Sequence, residues 1–451
     1  MQLKYHMVTI EDLVPEDHFL RKLERVLDLS FVYEETAHLY HRKHGRPPID
    51  PVIIVKYLLL GFLYGIPSER QIEQRCADSN AFRWYLGIDL DERVPDHSTI
   101  SQLRRRKPSF RKVFRRLFEE VVRQCIEKGM VSGRLVATDS THVKANASRS
   151  SEYLIETPEE PGLYWERLDQ YEEDGLKELE RRTGKRRAKR TKQIKKDSRR
   201  TQKRVSRTDP EAGYLKRRNK PLGMHYLSHQ TLDTDCGIIL DVAVTAGDSS
   251  DLAPFLSQME RVRSITTVQT AVADSGYDSA LVQHELGLAD IAFYTVARKT
   301  PDNAKMEFGT DVFFYDEDDD VYRCPNGKAL VLRTLHRSSN GLYWVYRAES
   351  SDCRQCTMHG SCLCGSHREQ GRRILRNYFE AAVQSGRERR NSPEYLQALR
   401  LRQIWCEGSF AAQKRSHNLT RVLRKGLGAA EDHCLLSAVA LNLKRMIKYA
   451  N

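Results

Sequence analysis

Apolar residues recur at helical spacing through the first quarter of the chain and at strand spacing through its middle. Leu20, Leu23, Val26 and Leu27 share one helical face, which predicts a short amphipathic helix. The stretch "IIVKYLLLGFLYGI" at 53–66 is apolar nearly all round. It predicts a buried helix that begins at the prolines 47, 48 and 51 and stops near Gly65 and Pro67. "SERQIEQRCADSNAFRWYLG" restarts with Ser68 as N-cap, and "PDHSTISQLRRRK" at 95–107 starts again with Asp96 or Ser98 as cap. The last of these helices carries Arg104, Arg105, Arg106 and Lys107. Short helices, tight turns and a basic final helix fit a helix-turn-helix arrangement, and equally a bundle with a solvated basic face.

From residue 221 the period shortens to two. "YLSHQTLDTDCGIILDVAVTAGDSSD" predicts two strands joined by a turn at Asp233–Gly237, and "TTVQTAVADSGYDSALVQHELG" a strand, a glycine turn and a helix. "DIAFYTVARKT" reads as another buried strand. Residues 308–350 read as a β meander with turns at Asp316–Asp320, Asn326-Gly327 and Asn340-Gly341. From 388 the pattern is helical again. Residues 181–207 have no apolar face: fifteen Lys or Arg stand against one acid, Asp197. That excludes a core element and predicts a solvated, partly disordered insertion, in which Arg186, Arg187, Lys189 and Arg190 would follow a phosphate backbone.

The 451-residue chain is long enough for two or three domains, and its net charge of +13 suits a polyanionic partner, nucleic acid before an anionic membrane. Its longest apolar run falls short of the roughly 20 residues of a membrane span. The N-terminus lacks a signal-peptide apolar stretch, so an intracellular, cytoplasmic protein is expected. The ten cysteines then read as reduced thiols or metal ligands. Cys353 and Cys356 form a CxxC, followed by Cys362 and Cys364 and preceded by Cys324 in "RCPNGK". Cys324, Cys353, Cys356 and Cys362 would suit a structural tetrahedral Zn2+, with Cys364, His359 or His367 as substitutes; a compact loop of free thiols has the same spacing.

In "GRLVATDSTHVKANAS" at 133–148 an apolar run leads straight into Asp139. A carboxylate at a strand end is either a turn residue or a metal ligand held by a rigid sheet. "AVADSGYDS" at 271–279 repeats the pattern with Asp274, and "RQIWCEGSFAAQKRSHNLTR" at 402–421 places Glu407 in a helix. Glu407 and Lys414 are seven apart, on one helical face. Trp405 and Phe410 lie beside the acid, for packing or for holding a flipped base. Asp241, Asp248, Asp251 and Asp278 are rival acids; Asp248 and Asp251, in "AGDSSDLAPF", read as a turn and a helix cap. Two strand-end aspartates and a helix glutamate would hold two Mg2+ ions about 3.5–4 Å apart, which clamp the attacking and leaving oxygens of a phosphodiester.

On these motifs the chain resembles the DDE-type transposases of bacterial insertion sequences, with Asp139 in "TDST", Asp274 in "ADSGYDS" and Glu407 in "CEGSFAAQKRSHNL" matching the three acids. "RPPIDPVIIVKYLLLGFLYGIPSERQIEQR" and "PDHSTIS" resemble the family's N-terminal helical domain, and "AVALNLKRM" its closing helix. The resemblance implies an α/β fold: an RNase H-like core, a mixed sheet flanked by helices, over 126–300 and 386–451. An N-terminal all-α DNA-binding domain would occupy 1–125, a basic insertion about 150–220, and a β-rich cysteine-containing insertion 301–385. It implies Mg2+-dependent cleavage at terminal inverted repeats and strand transfer into target DNA, with Mn2+ as a substitute ion and a homodimer on double-stranded DNA. Lys414 would contact a phosphate by the scissile bond. The family places an arginine four positions before the glutamate; here that position is Gln403, and Arg402 stands five before. A structure-selective nuclease on the same fold would share the acids, and a DNA-binding regulator would need only Arg104, Arg105, Arg106 and the basic block.

Overall fold

The computed structural model describes residues 7–39, 49–106, 110–158, 162–184, 200–217, 220–296, 308–339, 341–363 and 369–449. The N-terminal part is helical: α1 (Phe19–Val26), α2 (Phe31–Thr36), α3 (Pro51–Leu63), α4 (Glu69–Asp78), α5 (Asn80–Leu86), α6 (His97–Arg106) and α7 (Arg111–Glu127). The starts follow the expected chemistry. Asp50 caps α3 by accepting from the Val52 amide, and Ser68 caps α4 from Gln71. For α6 the cap is Asp96, whose Oδ1 accepts from the Thr99 amide at 3.0 Å. The apolar run forms α3, buried along most of its length, and Gly65 ends it at φ +64°.

The central sheet is built on β1 (Leu135–Lys144). After β2 (Glu152–Pro158), α8 (Leu163–Thr183), β3 (Arg200–Ser206) and β4 (Gly213–Leu215), the chain returns as β5 (Gly223–Asp233), antiparallel to β1, and turns into β6 (Ile239–Ala246), antiparallel to β5. Helix α9 (Leu252–Ile265) then carries it across to β7 (Thr270–Ala273), parallel to β1, and α10 (Ala280–Leu288) to β8 (Ala292–Thr295), parallel to β7. A short turn joins the antiparallel β5 and β6, whereas the parallel neighbours β7 and β8 need a crossover, here a helix. The spatial order β6-β5-β1-β7-β8, antiparallel on one side of β1 and parallel on the other, is the RNase H-like arrangement.

Two features depart from the sequence reading. The end of the basic stretch is a strand: β3 pairs with β2, and Val205 and Ser206 are buried. Ladder hydrogen bonds satisfy the backbone there without a continuous apolar face. The region read as an insertion also contains α8, whose buried Tyr164, Leu168, Glu172, Gly175 and Leu179 recur at three- and four-residue steps. Arg186, Arg187, Lys189 and Arg190 lie outside the described residues.

The expected meander is a second antiparallel sheet of β9 (Phe314–Asp316), β10 (Val321–Arg323), β11 (Ala329–Arg337), β12 (Leu342–Arg347) and β13 (Arg373–Asn377), the last added to its edge beyond the cysteine loop. The chain ends in α11 (Glu380–Glu388), α12 (Pro393–Arg402), a π-helical turn Gln403–Glu407, α13 (Gly408–Ser416) and α14 (Leu427–Tyr449). Helix α14 is buried over most of its length and packs against α3, α7 and β6, so the N-terminal helices share one core with the sheet. No helix among the described residues is long and apolar enough to cross a membrane.

Candidate active site

Thr138 of β1 pairs with Ala273 of β7 in the parallel ladder; β7 ends there, so Asp274 follows it beside Asp139, which lies inside β1 and not, as the sequence reading expected, at a strand end. Neighbouring strands lie about 4.8 Å apart, which sets the two carboxylates side by side. Burial first, and then the Asp274 charge, raise the Asp139 carboxyl to about 6, and Arg402 opposes both. Asp274 is raised too, by burial first, against the Gly276 amide that its Oδ1 accepts at 2.8 Å.

The third candidate acid, Glu407, lies on the helical segment opposite. Gln230, the ladder partner of Asp139, exchanges two amide hydrogen bonds with Gln413 of α13, at 3.0 and 2.8 Å. This pair, buried on both sides, fixes the helix over β1 and β5. Arg402 at the end of α12 donates from Nη1 to Asp139 Oδ2 at 2.9 Å. Between Arg402 and Glu407 the chain takes a π turn, which holds one more residue than an α turn. The extra residue, which breaks the family's arginine spacing, is absorbed there. Residue 407 therefore falls where the fourth residue after Arg402 would fall in an unbroken α-helix. Glu407 is exposed, Cys406 beside it is fully buried, and Lys414 lies two α turns further on, its ammonium pKa lowered by burial and then by Lys220.

The ligand atoms of the three acids are spread wider than a single ion would hold them. Among the described residues, the His, Cys, Asp or Glu trio whose ligand atoms all lie within 4.8 Å is Glu73, Asp96 and His97 of α4 and α6, an ion pair at a helix start.

Other expected site residues are placed differently. Arg104 is 9 % exposed, donates to Glu69 at 2.6 Å and lies over the Phe114 ring, so it braces α6 and is not presented to a phosphate. Arg105 and Arg106 are exposed. Arg402 likewise faces Asp139 rather than solvent. Trp405 is packed over Gly237, where a Cβ would lie 2.3 Å from its ring, with Arg445 on the ring face at 5.3 Å, and Phe410 is buried. Both rings are packing residues. Asp251 begins α9 but makes no cap bond; its Oδ1 accepts from Ser140 Oγ and its Oδ2 from Arg217 Nη1, both at 2.8 Å. Nothing local in the sequence marks that role, because its partners are 111 and 34 residues away.

Cys324, Cys353, Cys356 and Cys362 line one cavity of about 30 Å³ with His359 and Arg372. The Arg372 amide donates to Cys353 Sγ at 3.4 Å and Asn326 Nδ2 to Cys356 Sγ at 3.6 Å, the kind of donors that favour thiolates. Cys364 and His367 lie outside the described residues.

The family model described as Transposase domain (DUF772) matches residues 8–106, and the one described as Transposase DDE domain matches residues 323–447. The second match contains Arg402, Glu407, Lys414 and the four cysteines; Asp139 and Asp274 fall outside both. No curated protein matches the chain. Among solved structures, the piggyBac transposase synaptic complex with hairpin DNA is 8 % identical, covering 96 % of this chain and 75 % of that one at a TM-score of 0.39. The Mos1 strand transfer complex is 12 % identical over 58 % of this chain and 63 % of that one, TM-score 0.17. The Mos1 mariner paired end complex with Mn is 10 % identical over 62 % and 68 %, TM-score 0.17. With a transposase domain at its start and a transposase DDE domain at its end, the chain is a DDE-type DNA transposase.

Proposed function

We propose that this transposase works by cut-and-paste transposition, with Asp139, Asp274 and Glu407 as its catalytic acids. The observation that carries the assignment is the ladder register that sets Asp139 beside Asp274, under the helix that bears Glu407. DDE transposases use divalent metal ions, and the residues here fit one: two adjacent carboxylates, both raised by burial and Asp139 also by the Asp274 charge, gain from a hard cation. Bound Mg2+, or Mn2+ in its place, would activate the attacking oxygen and stabilise the leaving one. The chain's own part is to hold the acids. Asp139 is oriented by Arg402 and the Ser140 amide, and Asp274 by the Gly276 amide. Lys414, half-buried and two turns from Glu407, would hold a phosphate next to the scissile bond.

The DNA bound would be the element's terminal inverted repeats and a target duplex, engaged by a homodimer so that both ends are cut together, in the cytoplasm. The four cysteines, which line one cavity beside the second sheet although no three of their sulfurs lie within 4.8 Å of one another, would close on a structural Zn2+. The deciding experiment is strand transfer. Purified protein, Mg2+ and a plasmid carrying the genomic DNA on both sides of this coding sequence should give double-strand breaks at the element ends and joined products. Nicking without joining would favour the nuclease reading, and binding without cleavage the regulator.

A further inference from the structure

Asp251 sits beside Asp139 and Asp274. A Cβ added at Gly276 would lie 2.9 Å from Asp274 Oδ1 and 3.3 Å from Asp251 Oδ2, so both carboxylates border that one position. On its other side Asp251 takes the hydroxyl of Ser140, the residue after Asp139. His229, buried on β5 opposite Ser140, has its Nδ1 3.8 Å from Asp251 Oδ1, too far for a hydrogen bond. The strong partner is Arg217, in the loop after β4. Its Nη1 donates to Asp251 Oδ2 at 2.8 Å, and its Nη2 to Asp251 Oδ1 at 3.4 Å and to the Ser249 carbonyl at 2.9 Å.

This fork holds a guanidinium at the edge of the acid site while a third of the side chain remains exposed. More basic groups continue from it. Lys220 is exposed three residues further along the same loop, and Lys144, also exposed, is the ladder partner of His225, whose ring meets that of His142 at 5.6 Å. Burial first, and then Lys414, His225, Lys220 and Arg217, hold His142 down to about 4, so these groups share one neighbourhood. With Nη2 shared between Asp251 and the Ser249 carbonyl, the guanidinium keeps its Nε–H and one Nη1 proton for a second oxyanion, and a phosphodiester is the oxyanion a transposase brings there.

We propose that Arg217 is a DNA-phosphate contact beside the scissile bond and that Asp251 is its positioning residue, not a metal ligand. This rests on the acid site assigned above. It predicts that the two residues act as one unit. With the flank-bearing plasmid and Mg2+, Arg217→Ala should raise the KM for DNA about tenfold with a smaller fall in kcat, and Arg217→Lys should restore part of the loss. Asp251→Asn should reproduce Arg217→Ala, and the double variant should be no worse than Arg217→Ala within about twofold, as coupled residues behave.

Binding of the same flank DNA in EDTA reads the phosphate contact without cleavage. Arg217→Ala should reduce the magnitude of the log K against log[salt] slope by about 0.9. An unchanged slope, or an Asp251→Asn variant that abolishes kcat while Arg217→Ala spares it, would overturn the proposal, the latter by making Asp251 a ligand. The expected slope change in Arg217→Ala together with a wild-type protein that never cleaves would instead count against the acid site. Melting curves of the four variants separate misfolding from lost contact, since Arg217→Lys keeps the ion pair.

Discussion

Arg402 and Glu407 stand on the same side of one helix although they are five positions apart, because a π turn lies between. The arginine reaches Asp139 at 2.9 Å, so the helix that bears Glu407, the proposed third acid, also partly neutralises Asp139. A π turn is a one-residue insertion into an α-helix, and such insertions persist where they serve a site.

Deleting Gln403, which is exposed, should therefore be tolerated: the turn becomes α-helical and Arg402 stands four before the glutamate. Cleavage should stay within about tenfold of wild type. An alanine inserted between Ala411 and Ala412 should abolish it, since each extra residue rotates Lys414 by about 100° relative to Glu407. Equal losses in both variants would mean that the π turn is not a neutral insertion.

Asp139→Ala, Asp274→Ala and Glu407→Ala should each lower Mg2+-dependent cleavage at least a thousandfold while DNA affinity changes less than threefold. The acids hold the ions and not the duplex. Gel-shift and cleavage assays on the same preparations check this, and near-wild-type cleavage by any of the three removes that residue from the site.

Purified protein should carry about one zinc per chain, measured by plasma emission. Cys353→Ser with Cys356→Ser should remove it and lower the melting temperature by several degrees, because metal binding is part of folding free energy where ligands come from separate loops. A zinc-free preparation with unchanged melting in the double variant contradicts the assignment.

His417 closes the catalytic helix. Its ring Nδ1 contacts the Phe62 carbonyl at 2.7 Å, and burial holds it down to about 4. The unfolded chain binds that proton near pH 6.5, so the stability this neutral histidine contributes is complete above pH 6.5 and lost as pH falls towards 4. At most on the order of 3 kcal/mol is involved. In urea titrations the wild type should lose stability relative to His417→Gln between pH 6.5 and 4.5; a gap that is constant with pH would show that the histidine does not titrate with unfolding.

Much of this protein was legible from the amino-acid sequence. The helix start at Pro51, the capping residues Ser68 and Asp96, the strands around Asp233–Gly237 and the meander turns depend on local chemistry, each written within a few residues. Asp139 and Asp274 could be paired on paper because the same apolar run precedes both. Other assignments were decided only by tertiary contacts. Arg104 looks like its neighbours Arg105 and Arg106, but Glu69 and Phe114 bury it from 35 and 10 residues away. Asp251 looks like a helix cap until β4 and β1 bring Arg217 and Ser140 to it. Gln403 looks like a break in a motif until the π turn removes the mismatch. Local pattern determines which elements form, because backbone propensity and capping act over a few residues. Which charged side chain meets which depends on register and packing between elements far apart in the chain, and that is not written at any one position.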